Sequence, residues 1–210
     1  MTVSFVLFLS FLMFIFMYMN PLKSKATLMS TESLSMEIEN SAVVGMDVLG
    51  LKPDSAGCFV MKNPFTGNVF VEDENGMKVD SRSDGNSLTI SGGRGFYYIY
   101  DHGDRMENAS LNGCRAANYS SSVEGKEKAY SYKKLDELNV SYHSDYGSLK
   151  SRLKVPGERN FAIIVFDESR NILFDMSREI PRTEVVASEY PIEILRDNEM
   201  MKGALRILEW

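Results

Sequence analysis

The chain has 210 residues, of which 44% are hydrophobic and 25% charged, and its formal net charge is −6 at pH 7. The acidic balance argues against nucleic acid as a partner, because phosphate backbones need a basic face. Ten Tyr and twelve Phe exclude a disordered tail, and the length is enough for one domain with a real core.

The first element is an apolar run, Val3 to Met19, with no charged side chain. About 17 helical residues span roughly 26 Å, the thickness of a bilayer core. The expectation is a membrane anchor over 1–20, with Val3, Phe5, Leu7, Phe11, Phe14 and Phe16 on its lipid-facing surface. A cleaved signal with a poor small-residue site at Ser24-Lys25-Ala26 is the second reading, and a buried soluble helix the third. Asn20-Pro21 ends or kinks this helix, since Pro21 lacks a donor and clashes one turn back. Lys23 and Lys25 would face the cytosol by the positive-inside rule. Two cysteines and three Asn-x-Ser sequons, at Asn108, Asn118 and Asn139, favour an extracytoplasmic domain instead.

Leu22 to Val44 lacks Gly and Pro and carries Leu28, Leu34, Ile38 and Val43 among polar residues. It reads as the helix continuing out of the membrane, a stem over 21–50 ended by Gly45 and the Gly50–Pro53 turn region. Residues 51–210 then form an extracytoplasmic α+β domain. Strands are expected at Cys58–Lys62 and Asn68–Glu72, joined as a hairpin by Asn63-Pro64-Phe65-Thr66-Gly67. Further strands are Ser87–Ile90 and Phe96–Tyr100, with turns at Asn75-Gly76 and Asp84-Gly85. Asp101 to Glu127 reads as a long polar loop, and Tyr130–Leu138 and Asp145–Leu153 as short helices. Phe161–Phe166 and Asn171–Asp175 alternate around a turn and form a β-hairpin. Glu184–Tyr190, Ile192–Leu195 and Ala204–Trp210 complete an antiparallel sheet.

Candidate chemistry is sparse. Cys58 and Cys114 are either bridged or two buried thiols. The histidines, His102 and His143, have no spacing that makes a zinc site or a Cys–His dyad. Asp80-x-Arg82-x-Asp84-Gly85-Asn86 puts oxygens on alternate positions, but Arg82 spoils a calcium loop. With Asp101-x-x-Asp104 and Glu72-Asp73-Glu74 it reads as solvated turn carboxylates. Ser91-Gly92-Gly93-Arg94-Gly95 lacks the Lys-Ser/Thr of a phosphate loop and reads as a bent turn. Phe96-Tyr97-Tyr98-Ile99-Tyr100 reads as a buried strand, with a sugar- or peptide-binding strip as the alternative. No catalytic residue, metal ligand or cofactor is assigned, and the chain is expected not to be an enzyme.

The order of a long kinked N-terminal helix and an antiparallel sheet resembles type IV pilins and pseudopilins. Val155-Pro156-Gly157-Glu158-Arg159-Asn160-Phe161, Arg178-Glu179-Ile180-Pro181, the segment Ser188–Leu195 and the closing Ala204–Trp210 resemble the ends of archaeal membrane-anchored, pilin-like proteins. The resemblance covers roughly 1–45 and 145–210. It implies a single-pass membrane protein with its C-terminal domain outside, partnered by the membrane and by other pilin-like subunits through the N-terminal helix. The chain departs from the pattern in lacking a basic leader ahead of the run and in having Phe5 where pilins carry Glu. Two functions follow: a non-catalytic, pilin-like assembly component of a surface filament or secretion apparatus, or a monomeric anchored extracellular binding module.

Overall fold

The computed structural model describes residues 13, 31–54, 56–65, 69–101, 111, 113–180, 184–197 and 199–210. Among the described residues the fold is mostly β, 52% strand and 20% helix, with three short helices. This corrects the expected architecture of a long N-terminal helix followed by a pilin-like sheet. Helix α1 covers 31–42 and stops there. The expected stem does not continue to residue 50, because Val43-Val44 opens strand β1 (Val43–Pro53). β-branched side chains favour the pleated backbone, and Met46 and Val48 alternate into a core there. Nor does α1 protrude: Leu34, Ile38 and Ala42 are buried on one stripe against the sheet.

The anchor residues Val3, Phe5, Leu7, Phe11, Phe14 and Phe16, and the kink at Pro21, lie outside the described residues. Among the described residues no helix is long and apolar enough to cross a membrane. The single-pass membrane placement and the pilus assignment are corrected accordingly; a disulfide is compatible with an extracellular protein but shows no anchor.

Eleven further strands follow: β2 (Gly57–Lys62), β3 (Val69–Asp73), β4 (Ser81–Ser83), β5 (Ser87–Gly92), β6 (Tyr97–Asp101), β7 (Arg115–Ala116), β8 (Tyr119–Ser131), β9 (Phe161–Asp167), β10 (Ile172–Met176), β11 (Val186–Arg196) and β12 (Glu199–Glu209). Between β8 and β9 lie α2 (Tyr132–Ser144) and α3 (Tyr146–Arg152). Eight strands form one sheet in the order β10-β9-β12-β11-β8-β1-β6-β3, and four form a second, β4-β5-β2-β7. The expected β2–β3 hairpin does not exist, since β2 pairs with β5 and β7 while β3 pairs with β6. The segment that leaves β2 therefore does not turn back onto it. Asn63 is buried at its start, donating to Ser83 Oγ and accepting from the Phe65 N–H.

One face of the large sheet is covered twice. Over β9–β12, the helices close a core with Leu135, Leu138 and Tyr142 of α2, Leu149 of α3 and Phe161, Ile163, Ile194, Leu205 and Ile207 beneath. Over β1, β6 and β3, the small sheet packs Phe59, Met61, Leu88 and Ile90 onto Leu51, Val69, Val71, Tyr97 and Ile99. On the opposite face the sheet curls on itself. Leu195 and Met200 at the tip of the β11–β12 hairpin join Met46, Val48, Phe70 and Tyr100, and Lys78 Nζ donates to the Asp197 carbonyl at 2.9 Å.

Local chemistry sets the element ends. Ser131 caps α2 by accepting from Lys134 N–H, and Asp145 caps α3 by accepting from Ser148 N–H. Lys154 just past α3, Arg170 in the β9–β10 turn and Asp197 in the β11–β12 turn adopt positive φ. Cys58 and Cys114 form a disulfide one residue before the parallel β2–β7 pairs Phe59–Arg115 and Val60–Ala116.

Candidate functional site

An opening arises where the large sheet fails to pair fully. β8 and β11 run parallel but meet only at Tyr130–Ile194 and Ser131–Leu195. Upstream of that junction, among the described residues, β8 pairs only with β1, and β11 only with β12. Pro191 sits in this stretch of β11 and has no N–H to offer a neighbouring strand. β8 is itself irregular: Gly50 faces Val123 while Leu51 faces Ser121, so Ser122 is an extra backbone residue.

The two strands therefore bound a wedge, floored by α1. It is a cavity of ≈ 340 Å³ lined by Ser35 and Glu39 of α1, Val43 of β1, Lys128 and Tyr130 of β8, and Tyr190–Glu193 of β11. Ser35 and Glu39 are four residues apart and so share a helix face. Tyr130 and Tyr190 are half-buried against the helix-covered core. Burial, reinforced by Glu39 and Tyr190, pushes the Tyr130 hydroxyl up to about 12, so it stays a neutral donor. Lys128 pairs with Glu39 at 3.3 Å on the rim, an exposed ion pair of small energetic weight. The base of the wedge is aromatic and aliphatic and its rim is charged, the ordinary composition of a binding cleft.

On the other face of the sheet, the same two strands carry carboxylates. Glu127 of β8 is held above the usual carboxylate range by burial and by Glu193 of β11. Glu72 of β3 is buried and raised chiefly by burial, with Glu127 and Glu193 adding to it. It stays hydrogen-bonded, accepting from the Met200 N–H at 3.3 Å and from the Tyr100 hydroxyl. Desolvation first, then Glu127 and Glu72, raise Tyr100.

A second cleft, of ≈ 400 Å³, gathers many residues that stood out in the sequence: Asp73, Glu74, Asp80, Ser91–Gly95, Phe96 and Tyr97. Most of its polar groups serve the fold. Asp73 accepts from the N–H groups of Asn75 and Met77, which lowers its pKa. Tyr97 donates to the Gly93 carbonyl at 2.7 Å, and a Cβ at Gly92 would collide with that hydroxyl. Ser91–Gly95 is thus a turn shaped around a buried tyrosine. Of the aromatic segment, Tyr97 and Ile99 face the small sheet and Tyr100 stacks on Phe70 at 4.6 Å. Phe96 alone of these lies half-exposed on the cleft.

The remaining candidates are dispersed. Asp84 accepts from the Asn86 and Ser87 N–H groups and the Ser87 hydroxyl, which lowers its pKa and commits it to the β4–β5 turn. His143 lies exposed on α2, 3.1 Å from the Asp175 carbonyl. His102, Asp104 and Asn108 lie outside the described residues, Asn118 is exposed, and Asn139 is within α2 with its Oδ1 buried. Among the described residues no group of three or more His, Cys, Asp or Glu is placed to hold a metal ion. Cys58 and Cys114, being bridged, offer no thiolate.

Sequence reasoning missed the wedge because it missed β8. Tyr119–Ser131 is polar and carries no apolar alternation until Ala129. The signals present were Pro191 inside a run of β-formers and the Tyr130/Tyr190 pair. No protein-family model, no curated protein and no solved structure matches the chain.

Proposed function

We propose that this protein is a non-catalytic binding module whose ligand seat is the wedge between β8 and β11. The observation that supports this reading is a partly apolar cavity formed at an interruption of the sheet, where half-buried Tyr130 and Tyr190 and buried Ile192 lie beside the Glu39–Lys128 rim. The Tyr130 hydroxyl, held neutral by burial, acts as a donor to a ligand and not as a base. The composition suits recognition of a ligand with an apolar body and polar edges.

The test is amide chemical-shift mapping of the full chain against a fragment library. Fragments are expected to move Ser35, Val43, Tyr130 and Ile192, and Tyr190→Ala is expected to weaken them at least fivefold. Responses confined to Arg94, Gly95 and Phe96 would transfer the site to the second cleft and overturn this assignment.

A further inference from the structure

The wedge is bounded by backbone as well as by side chains. In a strand, every second residue turns its N–H and C=O to each side. β8 over 119–129 uses one side on β1, and β11 over 186–193 uses one side on β12. Among the described residues no strand takes the facing sides. Two unpaired rows of donors and acceptors diverging from a common junction fit a third strand laid between them, and such open edges are natural templates for an added chain.

Side-chain chemistry on the two faces specifies that strand. Towards α1 the wedge offers Tyr130, Tyr190 and Ile192. Towards the opposite face stand Glu127 and Glu193; Glu193 adds to the burial that raises Glu127, and neither carboxylate makes an ion pair among the described residues. Lys202 is the cross-strand neighbour of Glu193, so the negative charge is concentrated towards β8. A strand has period two. One set of its side chains would enter the apolar base, and the alternate set would meet the carboxylates.

Taking the wedge as the ligand seat, we infer that its occupant is an extended polypeptide segment with alternating aliphatic and basic residues, which completes the sheet by pairing with the open edge of β8. Pro191 withholds one donor on the β11 side, which leaves β8 as the principal edge.

The probe is a synthetic alternating Val–Lys heptapeptide, compared with an alternating Val–Glu peptide, a Val–Lys peptide of scrambled order, and a Val–Lys peptide N-methylated at alternate amides. Affinity is read by calorimetry and amide protection by hydrogen exchange. The Val–Lys peptide is expected to bind at least tenfold more tightly than each of the other three and to slow exchange across β8. A Glu127→Gln/Glu193→Gln variant is expected to lose about tenfold for this peptide, and its unchanged thermal unfolding would show that the fold is intact. Equal binding of the scrambled or N-methylated peptide would overturn strand pairing, as would binding that leaves β8 exchange unchanged. If fragments occupy the wedge and none of the four peptides binds, the strand inference falls while the ligand seat stands. If fragments also miss the wedge, both fall.

Discussion

The two halves of the large sheet are stabilised differently. Over β9–β12, seventeen buried residues of one contiguous core, drawn from three helices and four strands, do the work. Over β1, β6 and β3, nine buried residues are shared with a small sheet whose outer strands have three and two residues. The first half relies on apolar burial. Carboxylate-closed turns occur in both, at Asp167 in the first and at Asp73 and Asp84 in the second, but the second alone adds a covalent constraint, the Cys58–Cys114 bridge. A layer too small to supply its own core needs such constraints, as small disulfide-rich domains do. β8 belongs to neither pattern: it joins the halves through two paired residues of β11 and leaves the rest of that edge open.

Three experiments break or sharpen this contrast. The largest effect is expected from Cys58→Ser with Cys114→Ser. Loss of a cross-link spanning 56 residues costs about 4 kcal/mol in the chain-entropy account. Hydrogen exchange should show the loss concentrated in β2, β5 and β7, with β9–β12 still protected. A uniform loss would mean that the halves unfold as one unit.

Next comes Leu135→Ala, which removes a fully buried side chain from α2. A loss of about 3 kcal/mol is expected in denaturant unfolding. It should appear equally in oxidised and reduced protein if the helix-covered half is independent of the bridge, and a strong dependence on redox state would contradict the contrast.

The smallest effect concerns Glu72, where the hairpin tip of one half rests on the edge strand of the other. Its folded pKa is raised, principally by burial, so the native state holds the proton more tightly than the unfolded chain. Its contribution is fully present below the unfolded value near 4.5 and is lost as pH rises through the higher folded value. Glu72→Gln keeps an acceptor for the Met200 N–H and removes the buried charge. It is expected to be more stable than the parent at pH 7, on the order of 1 kcal/mol, and indistinguishable from it at pH 4. An equal offset at both pH values would assign the effect to packing and not to protonation.

The helix-covered half was largely legible in the sequence. The Phe161–Asp175 hairpin alternates cleanly and appears as β9–β10; the helix expected at Asp145–Leu153 appears as α3, and the one expected at Tyr130–Leu138 appears as α2, shifted to Tyr132–Ser144. The two segments on either side of Pro191 merge into one strand, because a proline at an unpaired edge costs no ladder bond. The other half was less readable. β1 was taken for helix because Leu34, Ile38 and Val43 lie at near-helical spacing, although Val43 already belongs to the strand. β8 was taken for loop because a strand open on one edge and exposed along most of its length needs no apolar alternation. The wedge shares that cause. A site made from missing hydrogen bonds leaves no motif, whereas among the motifs that did stand out Asp73, Asp84 and Ser91–Gly95 are turn chemistry, and Glu72, expected to be a solvated turn carboxylate, is instead buried in β3.

The bridge also has a mechanical meaning. Cys58 and Cys114 close a covalent ring that contains β3, β4, β5 and β6, and therefore strands of both sheets. Under tension applied from outside the ring, the oxidised chain cannot pay out those 56 residues, about 200 Å of extended length. A pulled molecule would lengthen only through α1, β1 and the segments after β7, and a reductant would release the remainder as one discrete step in extension.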